Sequence, residues 1–202
     1  MGRNLVFFAT IFLCLDLNLA RLDGSLTNLQ DVIRSTSLKY QDQVTRGQVN
    51  RFQYINCGHP ETDVFNLTSL VISPNPIQLP GTATISAGFK FRVTARSPIK
   101  LQVDFYRYVL GSWLKIPCVA EIGSCTYDDI CEFLDLIPVC PHQLVEAGIP
   151  CKCPFEQGTY TLPESKFVVP FPILPSGDYK IHSVYTNGES PGACLELYFS
   201  IA

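Results

Sequence analysis

The chain has 202 residues, of which 47% are hydrophobic, 11% aromatic and 16% charged, a balance that supports a buried core and excludes a disordered or low-complexity chain. Its formal net charge is −3, and lysine and arginine are scattered rather than clustered, so the electrostatic footprint of a nucleic-acid binder is missing. Fifteen prolines against one methionine and one tryptophan, with many Val, Ile, Thr, Phe and Tyr, favour short strands and turns, and the expected class is all-β.

Residues 1–20 read as a secretory signal peptide. Arg3 supplies the positive end, residues 5–15 run apolar, and Asp16 interrupts that run well short of the roughly twenty residues a membrane-spanning helix needs. Cleavage after Ala20 takes Cys14 away and leaves eight of the nine cysteines: Cys57, Cys118, Cys125, Cys131, Cys140, Cys151, Cys153 and Cys194. An even count in a secreted chain predicts four disulfides, with the pairing left open by the residues themselves. Residues 21–50 are polar and free of cysteine, an N-terminal extension in which Thr27-Asn28-Leu29-Gln30 has the form of a capping box before a short helix.

Residues 51–202 form the expected globular domain, and from Cys57 onward the apolar pattern has period two. Leu101, Val103 and Phe105 alternate with Lys100, Gln102 and Asp104, and Leu195, Leu197, Phe199 and Ile201 alternate with Glu196, Tyr198 and Ser200. Further strands are expected at 65–72, 77–86, 89–95, 167–169 and 178–185, with Pro- and Gly-containing turns between them, which suggests two antiparallel sheets in a sandwich or cup. One helix is expected at 127–136, capped by Thr126, with Asp128 and Asp129 complementing the positive end of its dipole. Six of the eight cysteines fall between 118 and 153, a loop-rich stretch that depends on its crosslinks.

Nothing in the chain has the form of a catalytic motif. His59, His142 and His182 lie outside any recognised nucleophile pattern, and there is no Gly-x-Ser-x-Gly, His-Glu-x-x-His or Gly-rich phosphate loop. Cys151-Lys152-Cys153 with His142 offers zinc ligands on paper, but the spacing lacks two matched pairs and an oxidising route favours disulfides, so no metal and no cofactor are expected. Asn66-Leu67-Thr68 is the N-glycosylation sequon.

Three stretches carry a family resemblance: Gly111-Ser112-Trp113-Leu114-Lys115-Ile116-Pro117-Cys118, Ile122-Gly123-Ser124-Cys125, and Gly148-Ile149-Pro150-Cys151-Lys152-Cys153-Pro154-Phe155. With Gly158-Thr159-Tyr160 and Phe167-Val168-Val169-Pro170 after them, the chain closely resembles the ML lipid-recognition family. The resemblance implies a β-cup, an immunoglobulin-like sandwich whose two sheets splay around an apolar lipid pocket. It implies the pairs Cys57–Cys194, Cys118–Cys125, Cys131–Cys153 and Cys140–Cys151, and a membrane-facing Trp113 near the pocket mouth. Against the family pattern, the loop Leu174-Pro175-Ser176-Gly177-Asp178 is short and lacks a tryptophan, and residues 21–50 have no counterpart.

The expected function is non-enzymatic. A secreted or lysosomal carrier lifts a ganglioside-like glycolipid or a phospholipid from a membrane and presents it to a soluble hydrolase, a lysosomal glycosidase of the β-hexosaminidase kind. Leu101, Val103, Phe105, Leu195, Leu197, Phe199 and Ile201 are the candidate pocket residues, although plain sheet-to-sheet packing produces the same alternation. A lipid-recognition module in immunity or fertilisation, without a hydrolase partner, is the alternative, and a small secreted hydrolase is a third reading.

Overall fold

The structure, a computed structural model, describes residues 52–119, 121–169, 174–188 and 190–202. The signal peptide, its cleavage site and the extension 21–50 lie outside the described residues. Among the described residues, nine strands and two short helices follow in chain order: β1 (Gln53–Asn56), β2 (Phe65–Ser73), β3 (Gly81–Phe91), β4 (Ile99–Val109), β5 (Ser112–Lys115), β6 (Thr126–Tyr127), α1 (Ile130–Asp135), α2 (His142–Glu146), β7 (Gly158–Val169), β8 (Gly177–Asn187) and β9 (Ser190–Ile201).

They form two antiparallel sheets. The larger runs β1-β9-β8-β4-β5 with β6 added on β4, and the smaller runs β2-β3-β7. Alternation on β4 decides which face of the larger sheet turns inward: Ile99, Leu101, Val103 and Phe105 are buried while Lys100 and Gln102 are exposed. Register carries that face across the sheet, Val103 opposite Ser183 and Ser183 opposite Leu195, then Phe105 opposite Ile181 and Ile181 opposite Leu197. At one end of this inner face Tyr179 is fully buried between the rings of Phe105 and Phe199, with centroids 5.5 and 5.6 Å away, and its hydroxyl donates to the Pro175 carbonyl at 2.5 Å.

Segment 116–155 carries both helices and three of the four disulfides. The pairs are Cys57–Cys194, Cys118–Cys125, Cys131–Cys153 and Cys140–Cys151, the arrangement that the resemblance implies. Helix α1 packs on β4 and α2 on β7.

The elements differ from expectation at several points. The helix starts at Ile130 rather than 127, because Thr126 and Tyr127 pair with Gln102 and Leu101 on β4, and its cap is Asp129, whose carboxylate accepts from the Cys131 amide at 2.9 Å. The two strands expected at 77–86 and 89–95 are one, β3, with its ends displaced: Ile77 makes only a lone bridge to Ile201 and Ala95 one to Phe155. A register shift between Ile85 and Ala87 in the pairing with β7 lies near the point where one strand is expected to end and the next to begin. The strand expected at 167–169 is the tail of the twelve-residue β7. Strands β1 and β5 and helix α2 are additional; with four or five residues each they are too short for periodicity to show.

Candidate lipid-binding site

Between the inner faces of the two sheets lies a cavity of about 1320 Å3, counting the part open to solvent. Leu67, Ile85, Phe89 and Leu162 of the smaller sheet form one wall, and Leu195 and Leu197 of β9 stand in another. Ile130 and Leu134 from α1, Leu144 from α2 and Ile149 from the following loop cover the side where the helical segment runs. The helices sit there because each buries its apolar side toward the sheets: Ile130, Cys131 and Leu134 on α1, Leu144 on α2.

One end of the lining is aromatic. The ring of Phe65 lies 5.8 Å from Phe89, 5.2 Å from Phe91 and 6.3 Å from Tyr185, and Phe91 stacks on Phe155 at 5.2 Å. Among the described residues, none that lines the cavity is Asp, Glu, Lys, Arg or His. The polar lining side chains are Ser183, Tyr185, Thr186 and Asn187, all from the last half of β8. A register shift between Tyr185 and Thr186 breaks the alternation there and brings adjacent residues to the lining. Two of these groups are already engaged: Ser183 Oγ donates to the Leu195 carbonyl at 3.2 Å, and Asn187 Nδ2 donates to the carbonyls of Arg96 and Pro98 at 2.6 and 3.1 Å. Such walls can enclose hydrocarbon, and they hold no carboxylate or imidazole to move a proton.

The sequence candidates divide. Leu195 and Leu197 line the cavity. Leu101, Val103, Phe105, Phe199 and Ile201 are buried on the same inner face but outside the cavity lining, where side chains fill the space. Alternation identifies the face of a strand; it does not say how far along the strand the sheets separate. Trp113 stands away from the cavity, on the opposite, outer face of the larger sheet: it pairs with Tyr108, its ring lies 5.1 Å from Tyr108 and 6.1 Å from Tyr198, and Lys180 Nζ is 6.0 Å from it. Asn66 is half-buried on β2, an edge strand, opposite Lys90. Cys151 and Cys153 belong to different disulfides, which commits both sulfurs of the Cys-Lys-Cys stretch, and His142 opens α2. The walls that the sequence candidates omit come from the smaller sheet and the helices. Their signal was present in Phe65-x-Leu67 and Phe89-x-Phe91, two short alternations on neighbouring strands.

A family comparison places this architecture. Residues 51–201 match the ML domain, and the chain belongs to the ML-domain family. Among curated proteins it is similar to the ganglioside GM2 activator of Macaca fascicularis, 40% identical over 162 residues, covering 76% of this chain and 85% of the relative. The ganglioside GM2 activator of Mus musculus is 39% identical over the same length, covering 76% and 83%. Both relatives are named as activators, not as enzymes. Solved structures with a likeness include a Niemann-Pick type C2 protein from Japanese carpenter ant, 17% identical with a TM-score of 0.40, covering 74% of this chain and 99% of that one. Chicken MD-1 complexed with lipid IVa is 15% identical with a TM-score of 0.31, covering 74% and 88%.

Proposed function

We propose that this chain binds a lipid in the cavity between its sheets, lifts it from a membrane and presents its head group to a soluble hydrolase. The observation that carries the reading is the cavity itself, lined by apolar side chains and with no charged side chain among the described residues of its lining. Each methylene kept from water is worth about 0.8 kcal/mol, so an acyl chain stays either in the bilayer or in such a cavity. Exchange between two apolar surroundings is near neutral and therefore reversible, as a carrier requires. The ganglioside GM2 activator relatives support a ganglioside-like glycolipid as cargo. A phospholipid is the second class of cargo in this reading, and the enzyme served is a lysosomal glycosidase of the β-hexosaminidase kind. Four disulfides and the apolar leader at residues 5–15 support a secreted or lysosomal location, with residues 21–50 as an extension ahead of the domain and Asn66 as a glycan site.

Purified protein incubated with vesicles of ganglioside and phospholipid, then separated and analysed by mass spectrometry, is expected to carry lipid in stoichiometric amount. It is expected to raise glycolipid turnover by an added β-hexosaminidase while showing no turnover alone. Bound lipid with no stimulation of any glycosidase would favour a recognition module instead, and no bound lipid overturns the reading.

A further inference from the structure

We propose that the Cys57–Cys194 disulfide is a thiol–disulfide exchange site, with His182 as the proton donor to the departing Cys194 sulfur. Of the four disulfides among the described residues, it is the one in which neither cysteine is buried: Cys57 is exposed and Cys194 partly so, whereas the other pairs each contain a buried member, Cys125, Cys131 or Cys151. His182 Nε2 lies 3.4 Å from Cys194 Sγ, and the ligand atoms of Cys57, His182 and Cys194 all fall within 4.8 Å of one another. The group sits on the outer face of the larger sheet, apart from the lipid cavity, so the inference stands whether or not the cavity holds lipid.

The charged neighbours of His182 are its register partners Asp104 on β4 and Glu196 on β9, with Lys180 two residues before it on β8. Asp104 is held by Lys115 at 2.7 Å, and Glu196 accepts from the Tyr198 hydroxyl at 2.8 Å. From the turn after β1, the Asp63 carboxylate accepts from the His59 amide at 2.8 Å. His182 is thus the side chain of this group aimed at the leaving sulfur.

The chemistry takes a small monothiol of the glutathione class. Its thiolate attacks Cys57 Sγ, a new S–S bond forms there, the Cys57–Cys194 bond breaks, and the electron pair passes to Cys194 Sγ, which receives the Nε2 proton of the imidazolium. A neighbouring imidazolium stabilises the departing thiolate and so makes Cys194 a leaving group of lower thiol pKa, which leaves faster. A second monothiol then displaces Cys57 from the mixed disulfide, so that two external thiols are oxidised to one disulfide and the protein gains two thiols. The disulfide ties the end of β1 to β9 within the larger sheet, so its cleavage removes a covalent tether from β1. Beside the disulfide, β1 holds β2 through Asn56 Nδ2 on the Leu67 carbonyl at 2.9 Å and Tyr54 Oη on the Thr68 carbonyl at 3.0 Å, and Leu67 is a cavity wall.

The test uses the oxidised full chain and reduced glutathione, with an alkylating quench and peptide mapping by mass spectrometry. The first product is expected to carry glutathione on Cys57 and the alkyl group on Cys194, with the other three disulfides intact. His182→Gln is expected to form that product about tenfold more slowly, with no change at the other disulfides. Equal rates for native and His182→Gln protein would overturn the donor role. Glutathione appearing first at another disulfide, or evenly on Cys57 and Cys194, would overturn the site whatever the variant does.

Discussion

Leu197 and Phe199 stand two residues apart on β9 and point the same way, yet they meet different surroundings: Leu197 borders the cavity, and Phe199 stacks on Tyr179 in the filled end. Phe199→Ala therefore leaves a hole in packed material, expected to cost about 3 to 5 kcal/mol in denaturant unfolding while the folded fraction still takes up lipid. Leu197→Asp places a carboxylate in a wall without partners, and lipid uptake from vesicles is expected to fall to background. A Leu197→Asp protein that keeps its thermal midpoint and loads normally would remove Leu197 from the site. Asp129 acts through hydrogen bonds. Burial works to raise its pKa, but bonds from the Ser97 hydroxyl and the amides of Ile99 and Cys131 outweigh it and hold the carboxyl below its ordinary value. A lowered folded value means the contribution is complete above the unfolded carboxylate range near 3.9 and is lost as pH falls through the folded value. Asp129→Ala is expected to lose about 1 kcal/mol in urea unfolding at pH 7, with the difference shrinking in strong acid.

At the scale of elements, the parts legible in the sequence were those with long alternation. β4 and β9 showed their inner faces residue by residue, because a strand buried on one side must alternate. The span of β3 was not legible: the strand expected at 77–86 starts too early, because β3 begins only at Gly81, and the strand expected from 89 is its continuation through Ala87-Gly88. The helix start was misplaced for a similar reason: Thr126 and Asp129 are both good caps, and the choice fell to a tertiary contact, the pairing of Thr126 and Tyr127 with β4. Half of the cavity was hidden because it depends on where two sheets diverge and on which helix residues close the gap, which are properties of the assembled elements. The exposed aliphatics Leu136, Val139 and Val145 surround the same helices whose Leu134 and Leu144 line the cavity. Leu144→Ala enlarges the cavity from that side, and a loss of about 2 to 5 kcal/mol is expected in the lipid-free protein, smaller after loading if the cargo fills the space.

Taken whole, the molecule separates two kinds of force. No described residue of the cavity lining is charged, so retention of a lipid already in the cavity is expected to be insensitive to salt. Attachment to a bilayer is expected to follow net charge: with an isoelectric point near 5.6 the chain turns positive in acid, and its sedimentation with anionic vesicles should rise below that pH and weaken in salt. Attachment that ignores pH and salt would show that net charge does not govern docking. The chain also has a single tryptophan, Trp113, half-exposed among Tyr108, Tyr198 and Lys180 on the side away from the cargo. Its fluorescence is thus a native optical reporter of one surface only. Emission should hold its wavelength when a lipid fills the interior and move to the blue only when the outer sheet meets a bilayer, so a fluorimeter can time arrival at the membrane independently of uptake.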